Sequence, residues 1–238
     1  MKITTNKIYL EQIKKFFDKN DWKPLTFQLE SWEAYFNGEN GIIQVPTGCG
    51  KTYAALMGPL SKLNNCREKS GLNILLITPL KALSRDLKNA IDLAAKYFDE
   101  GITVGIRNGD ISPYEKKKQI LNPPNILITT PESLSLLLSN KESKNIFSNL
   151  FSIIIDEWHE LMGSKRGNQC ELCLSWLRGN KKDLQIWAMS ATMGNIEEAG
   201  RAIIGIKANT PKIISTNIQK KIEITSVLPE EETTFPWG

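Results

Sequence analysis

The feature that most constrains the fold is a series of short Ile- and Val-rich runs that recurs along most of the chain. Each run is followed by a longer amphipathic stretch, and successive runs begin roughly 25–30 residues apart, the size of a strand–helix–strand unit. Because the runs are continuously apolar, we predict strands that are buried on both faces. We therefore expect an α/β domain of three layers, with helices on both faces of a mainly parallel sheet. The runs are Ile42–Val45, Ile74–Thr78, Ile102–Ile106, Ile126–Thr129, Phe151–Ile155 and Ile186–Met189.

Polar and turn-forming residues stand at the ends of five of these runs. Parallel sheets of this kind bind ligands beyond the carboxyl ends of their strands. The sequence therefore predicts a binding site at this end of the sheet. The end segments are Pro46-Thr47-Gly48, Thr78-Pro79, Thr129-Thr130-Pro131, Asp156-Glu157 and Ser190-Ala191-Thr192.

The chain divides into three predicted segments. Residues 1–40 show helical spacing of apolar residues and form an N-terminal helical segment. Residues 41–209 hold the apolar runs and form the main domain. Residues 210–238 have the character of the start of a linker, although Ile213–Ser215 and Ile222–Val227 are strand-like.

Composition excludes few functions. The chain has 238 residues and a net charge of +4, which permits nucleic-acid binding without arguing for it. Cys170 and Cys173 form a C-x-x-C pair, read either as a zinc or redox site or as two small apolar residues one turn apart on a helix. No apolar run approaches the roughly 18 residues of a membrane span. With no leader-like N-terminus and few cysteines, we expect a cytoplasmic protein that does not enter membranes.

A phosphate-binding loop is predicted at residues 47–52. Thr47-Gly48-Cys49-Gly50-Lys51-Thr52 lies between a predicted strand and a helix. Glycines let successive N–H groups face an anion, the lysine reaches the β- and γ-phosphates, and the threonine hydroxyl can ligate Mg²⁺. The strict loop pattern is not met, because Val45 stands at its first glycine. The alternative is a chance turn before a helix.

An acidic motif follows a second predicted strand. Ile153-Ile154-Ile155 leads into Asp156-Glu157, and an acidic pair at a buried strand end is costly unless it meets a cation. We interpret Asp156 as a holder of Mg²⁺ and Glu157 as the group that orients and deprotonates the attacking water of ATP hydrolysis. His159 lies close enough to serve the same site. The alternative is an acidic helix N-terminus favoured by the helix dipole.

Taken in order, these motifs resemble the first RecA-like domain of the superfamily 2 helicases. The resemblance extends to Gln28, to Thr-Pro-Leu-Lys-Ala-Leu at 78–83, to Thr-Thr-Pro-Glu-Ser-Leu at 129–134 and to Ser-Ala-Thr at 190–192. Asp-Glu-Trp-His-Glu-Leu at 156–161 and Gly-Ser-Lys-Arg-Gly at 163–167 are similar to the Lhr-type (large helicase-related) group. Within that group, the chain most resembles the bacterial ligase-associated DEXH-box helicases.

The resemblance implies further roles. Gln28 would read the adenine edge, although an exposed helix residue is the alternative. Ser190 and Thr192 would couple the ATP site to the nucleic-acid side. For Ser164, Lys165 and Arg166 the alternative is an exposed basic turn, and Lys116, Lys117 and Lys118 are interpreted as a solvated face. The residues implied to contact a nucleic-acid backbone are Thr78, Lys81, Arg85, Thr129, Thr130, Ser164, Lys165 and Arg166.

The resemblance implies an ATP-binding first motor domain of an ATP-dependent DNA helicase, with DNA repair as the expected setting. ATP, Mg²⁺ and single-stranded or partly duplex DNA would be its ligands. A helicase of this class also needs a second RecA-like domain, which residues 193–238 do not resemble, so we expect the chain alone to bind nucleotide weakly and not to unwind. Two alternatives stay open: a DEAD/DEXH-type RNA helicase, and a binding module with a vestigial ATP site.

Overall fold

The structure is a computed structural model that describes residues 2–82, 84–191, 193–205 and 210–216. Within these residues, ten helices alternate with the strands of one sheet. The strands are β1 (Gly41–Gln44), β2 (Ile74–Ile77), β3 (Val104–Arg107), β4 (Ile126–Thr129), β5 (Ser152–Ile155), β6 (Gln185–Ser190) and β7 (Lys212–Ser215). The helices are α1 (Lys2–Lys19), α2 (Thr26–Phe36), α3 (Lys51–Asn64), α4 (Ser84–Phe98), α5 (Pro113–Leu121), α6 (Pro131–Leu138), α7 (Ser143–Ile146), α8 (Trp158–Leu161), α9 (Lys165–Asn180) and α10 (Ile196–Ile204).

All seven strands run parallel in the order β3-β4-β2-β5-β6-β1-β7. Each of the six runs predicted from the sequence corresponds to one strand, with bounds that differ by at most two residues. The side chains of β2, β4 and β5 are all buried, as their continuous apolar pattern indicates. The predicted parallel α/β sheet is confirmed.

Two hydrophobic cores lie on opposite faces of the sheet. Successive residues of a strand point to opposite faces, and in β1 the side chain of Ile43 joins one core while Ile42 joins the other. The first core is formed with α1–α4, and the second with α6–α10. Helices therefore cover both faces, which confirms the predicted three layers.

The two N-terminal helices belong to the first core. Phe16 and Phe17 of α1 and Trp32 of α2 are buried there, with Leu56 and Leu60 of α3. Residues 1–40 therefore contain no separate core among the described residues, and they cover the helix that follows the predicted phosphate loop.

Strand β7 carries the sheet past the domain boundary predicted at residue 209. It pairs with β1 in parallel register, from Lys212 opposite Gly41 to Ser215 opposite Gln44. Ile214 is fully buried in the first core, and this burial ties the strand to the sheet. The Ile213–Ser215 run is thus part of the sheet rather than of a linker, while the Ile222–Val227 run lies outside the described residues.

Candidate nucleotide site and nucleic-acid interface

The strand order separates the predicted site residues into two groups. Strands β5, β6 and β1 are adjacent, and their carboxyl ends carry the acidic motif, Ser190 and the phosphate loop. Strands β3, β4 and β2 form the other group, and their ends carry Arg107, Thr129 and Thr78. The groups meet where β2 pairs with β5, with Ile77 opposite Ile155.

The phosphate loop has the backbone that its glycines predict. Gly48 and Gly50 have φ angles of +74° and +83°, a region that favours glycine. A Cβ at Gly50 would also lie 2.8 Å from Nε2 of Gln28. Gly50 is followed directly by Lys51, the first residue of α3, so the start of that helix faces the loop.

Gln28 is buried against this loop, with 3% of its surface exposed. Its Nε2 donates to the carbonyl of Gly50 at 3.1 Å, and its Oε1 accepts from the Leu25 amide at 2.9 Å. The alternative of an exposed helix residue is therefore wrong. In this structure Gln28 positions the loop, and its contact with an adenine stays a prediction.

The acidic motif faces Lys51. The Lys51 side chain is only 7% exposed, and its Nζ lies 3.4 Å from Oε1 of Glu157. Asp156 is 6% exposed; burial, and then the neighbouring Glu157 charge, raise its pKa to about 6, against the opposing effect of Lys51. An acid that is this strongly desolvated is typical of a cation site.

His159 joins the acidic motif to the end of β6. Its Nδ1 lies 3.1 Å from Oγ of Ser190 and 3.4 Å from Oε2 of Glu157. Glu157 Oε2 is buried and has no hydrogen-bond donor in normal geometry. Glu157 itself has a left-handed φ of +43°, which is strained for a non-glycine residue. The other predicted coupling residue, Thr192, lies outside the described residues.

The phosphate loop and the acidic pair line one pocket of about 280 Å³, whereas Gln28, His159 and Ser190 are not among its lining residues. Its walls include Thr47, Gly48, Gly50, Lys51, Thr52, Asp156 and Glu157, all predicted from the sequence. Cys49 lies beside it, with Sγ 3.9 Å from the Thr47 carbonyl. The sequence missed the opposite wall, Asp86, Leu87 and Ala90 of α4. Their only signal was that α4 directly follows the motif at 78–83.

The set of groups fits a nucleoside triphosphate with Mg²⁺. The two left-handed glycines open the loop backbone, and Lys51 supplies a buried cation for phosphate oxygens. Thr52 and Asp156 offer the hard oxygen ligands that Mg²⁺ prefers. The buried Asp156 carboxyl, next to Glu157 in the wall of the same pocket, is the observation that fits a cation there.

A second cleft, of about 540 Å³, lies beyond the ends of β2, β3 and β4. Three of the residues implied to contact a nucleic-acid backbone line it, namely Lys81, Thr130 and Arg166. Lys81 Nζ lies 3.2 Å from Oδ1 of Asp110, and Arg166 pairs with Glu132. The cleft thus collects residues that are far apart in the sequence.

The other implied contacts are placed differently. Thr78 and Thr129 are buried: the Thr78 hydroxyl accepts from the Leu80 amide, and the Thr129 hydroxyl donates to the Arg107 carbonyl. Their hydroxyls therefore hold the loops behind the cleft and do not face it. Thr130 lines the cleft but is itself buried, and its hydroxyl caps α6 by accepting from the Ser133 amide.

The basic turn at 164–166 is also divided. Ser164 caps α9, accepting from the Gly167 amide at 3.1 Å. Lys165 is exposed and, like Arg85, does not line the cleft. Of the three residues of the turn, only Arg166 lines the cleft. The structure therefore does not place the whole turn against a strand in the cleft.

Sequence reasoning missed two cations of the cleft, Arg107 and Lys116. Lys117 and Lys118 are exposed, as the predicted solvated face requires. Lys116 is half-buried and lines the cleft instead. Arg107 ends strand β3, and a cation at the end of a predicted apolar strand is the signal that could have found it.

The C-x-x-C pair fits the alternative of two small apolar residues one turn apart on a helix. Cys170 and Cys173 are buried on α9, and burial raises the pKa of both thiols. Among the described residues, no group of three His, Cys, Asp or Glu side chains could hold a metal ion. In the same part of the chain, no helix is long and apolar enough to cross a membrane.

Comparison with known proteins decides the family. The model of the DEAD/DEAH box helicases matches residues 25–199, which include both the phosphate loop and the acidic motif. The chain belongs to the DEAD/DEAH box helicase family. Within it, the helicase domain is 32% identical to the ATP-dependent helicase Lhr-Core of Saccharolobus solfataricus, over 81% of this chain and 23% of that protein.

A solved structure agrees. The domain superposes with a TM-score of 0.82, at 30% identity, on the Lhr helicase of Mycobacterium smegmatis bound to single-stranded DNA and AMP-PNP. The match covers 89% of this chain and 28% of that one. A DEAD-box helicase bound to single-stranded RNA has a TM-score of 0.73 at 18% identity, which shows the fold alone.

The relatives confirm the Lhr-type resemblance, and the narrower likeness to ligase-associated helicases stays a prediction. The domain spans about a quarter of the length of the curated relatives named Lhr-Core. It spans 14% of the Lhr helicase and probable uracil glycosylase of Mycolicibacterium smegmatis, at 32% identity over 87% of this chain.

Proposed function

We propose that this chain is the ATP-binding first motor domain of an ATP-dependent DNA helicase that acts in DNA repair. It would couple ATP hydrolysis to movement along a strand when joined to a second RecA-like domain. The observation that carries the proposal is the placement of the nucleotide pocket and the basic cleft at the carboxyl end of one sheet. The two groups of strands are neighbours in this sheet, because β2 of one group pairs directly with β5 of the other.

The nucleotide pocket would act through residues that are already in place. Lys51 would move its ammonium from Glu157 to the phosphate oxygens, since the present Nζ–Oε1 separation of 3.4 Å marks a loose pair. Thr52 and Asp156 would hold Mg²⁺, which when bound neutralises charge on the phosphates. The Gly48 and Gly50 backbone would cradle the phosphates.

Glu157 would then be the group that orients and deprotonates the attacking water. Its Oε2 is buried and lacks a hydrogen-bond donor, so it can accept one from water. Release from Lys51 would leave both carboxylate oxygens available. His159, which is hydrogen-bonded to Ser190 and lies 3.4 Å from Oε2, would limit the movement of this carboxylate by contact.

Coupling would run through the contact between His159 and Ser190. Ser190 is fully buried at the end of β6, between the strands that carry the acidic motif and the phosphate loop. If loss of the γ-phosphate moves Glu157, the imidazole of His159 would therefore transmit that movement to β6. Thr192 is part of this proposal by its place in the motif.

The choice of DNA rests on the relatives, because the Lhr and MrfA helicases in the superposed structures are described as bound to DNA. An RNA helicase is the second reading, since backbone contacts alone do not distinguish the sugar. A compartment that keeps the four thiols reduced, such as the cytoplasm, completes the proposal.

The test uses the full-length protein that contains this chain. Glu157→Gln should keep ATP binding and strand binding but lose hydrolysis and unwinding by about two to four orders of magnitude, because the base for the attacking water is gone. Glu197→Gln, an exposed residue on α10, is the control and should behave as wild type. Unwinding of DNA and RNA duplexes is compared in parallel.

Normal hydrolysis by Glu157→Gln would contradict the role of Glu157. If wild type hydrolyses no ATP with any strand, the module with a vestigial site is favoured instead. Unwinding of RNA duplexes alone would favour the RNA helicase.

A further inference from the structure

The cations of the 540 Å³ cleft are not equivalent. Lys81 lies 3.2 Å from the carboxylate of Asp110. Arg166 pairs with Glu132 through two nitrogens, Nε to Oε1 and Nη2 to Oε2, the second at 3.3 Å. A phosphate that approaches either cation meets a carboxylate beside it, and the pair must be broken or shared. Lys81 and Arg166, two of the four cations implied as backbone contacts, are therefore already paired with carboxylates of the chain.

Arg107 is in a different situation. It is 7% exposed, and its Nη1 donates to the Lys116 carbonyl at 2.9 Å and to Oε1 of Gln119 at 3.4 Å. Both acceptors are neutral, and the described part of the chain offers the guanidinium no carboxylate. Burial without a counterion lowers its pKa below the ordinary value, yet it stays charged. A buried cation without a counterion is costly, and an anion in the cleft would offset that cost.

The guanidinium is also fixed in place. The Arg107 carbonyl accepts the Thr129 hydroxyl at 2.9 Å, and Arg107 stands opposite Thr129 in the β3–β4 register. Its Nε and Nη2 have no acceptor among the described residues, and neither atom is completely buried. These two donors therefore remain for a ligand. A rigid donor loses little conformational freedom on binding.

The rest of the cleft suits the same ligand. Lys116 lines it and has no carboxylate partner among the described residues, although its Nζ lies 3.4 Å from the Gly109 carbonyl. The first turn of α6, capped by Thr130, faces it as well. None of the described residues that line the cleft is aromatic, so stacking on bases has no support from them. The chemistry is that of a phosphodiester oxygen.

We propose that Arg107 is the residue of this domain that binds a backbone phosphate of the nucleic-acid strand, with Lys116 as an auxiliary cation and with Lys81 and Arg166 held in internal ion pairs. The proposal rests on the strand-binding part of the proposed function and assigns its main phosphate contact. Phosphates carry no base identity, so binding through Arg107 is independent of base sequence.

The experiment measures binding of labelled oligothymidylate and oligouridylate to the 238-residue chain over a range of salt concentrations. Arg107→Gln should raise the Kd by about tenfold or more, as expected for loss of a charge-assisted hydrogen bond. It should also lower the salt slope by about 0.7, one phosphate contact on a single strand. Lys81→Gln should change the Kd by about threefold or less, because its charge is already paired.

Arg178→Gln is the matched control. Arg178 is half-buried and, like Arg107, donates from its guanidinium to a main-chain carbonyl, that of Ile203, but it lies away from the cleft. Its loss should leave the Kd and the salt slope at wild-type values. Nucleotide binding and circular dichroism of each variant check the fold. If Arg107→Gln is unfolded, Arg107→Lys decides, and it should keep the salt slope while weakening binding severalfold.

The possible failures are distinguishable. If wild type binds neither oligonucleotide even at low salt, the strand-binding function fails and the inference fails with it. If wild type binds but folded Arg107→Gln keeps its Kd and slope, only the inference is overturned, as it is if Lys81→Gln has the larger effect. An effect with oligouridylate and none with oligothymidylate supports the inference and contradicts the proposed DNA specificity.

Discussion

At the scale of single residues, the nucleotide pocket contains more acidic side chains than basic ones. Asp86, Asp156 and Glu157 line it against one lysine, and Asp156 is nearly fully buried. The pKa of Asp156 rises to about 6 because burial and Glu157 disfavour its charged form. The ligand-free chain therefore carries an unfavourable charge that a bound cation would relieve.

This gives a pH prediction for Asp156→Asn. Because the folded-state pKa lies above the ordinary 3.8, the folded chain holds this proton more tightly, and stability falls as pH rises from 3.8 through about 6. Above that range, Asp156→Asn should be more stable than wild type by up to about 3 kcal/mol, roughly 1.4 kcal/mol for each pKa unit. Near pH 4 the gain should vanish. Urea unfolding of both proteins without Mg²⁺ measures it, and a gain that is the same at both pH values would show that Asp156 is not desolvated.

Most of the nucleotide pocket could be predicted residue by residue, but most of the basic cleft could not. The loop and the acidic motif are local patterns whose chemistry does not depend on distant residues. The cleft depends on which side chains turn inward: Thr78 and Thr129 are buried, and Lys81 meets Asp110, which stands 29 residues further along the chain. The role proposed for Arg107 depends on its having no such partner among the described residues, and sequence spacing does not reveal that.

At the scale of secondary-structure elements, the apolar runs predicted the strands because buried parallel strands have an unmistakable composition. The predicted boundary at residue 209 failed to include β7, an edge strand, because its apolar run does not reveal the strand with which it pairs. What holds β7 in place is pairing with β1 and burial of Ile214, both of which depend on the whole fold.

Substitutions in β7 test this assignment. Ile214→Ala should lower the free energy of unfolding by about 2–4 kcal/mol, as for other fully buried isoleucines. Ile213→Ala is the matched neighbour; its side chain is only partly buried, so its effect should be clearly smaller. Chemical denaturation of the two variants and wild type makes the comparison. Two small and equal effects would place this strand outside the core and restore the predicted linker.

At the scale of the whole molecule, one sheet supports two sites with different tasks. The group β5-β6-β1 presents the pocket proposed to bind the triphosphate, and the group β3-β4-β2 presents the cleft proposed to bind a strand. The domain covers about a quarter of its Lhr-Core relatives. Weak nucleotide binding and absent unwinding by the chain alone therefore stay predictions, which follow if a second RecA-like domain closes the pocket from the other side.

The central claim is that the pocket at residues 47–52 and 156–157 is a working Mg²⁺–ATP site. Calorimetric titration of the 238-residue chain with Mg²⁺ and a non-hydrolysable ATP analogue tests it most directly, with Lys51→Ala as the variant and Lys144→Ala, a lysine outside the pocket, as the control. We expect wild type and the control to bind alike, and Lys51→Ala to bind at least about tenfold more weakly, since a buried charge-assisted contact to phosphate is lost. Equal affinities of wild type and Lys51→Ala would contradict the account and leave a binding module with a vestigial site.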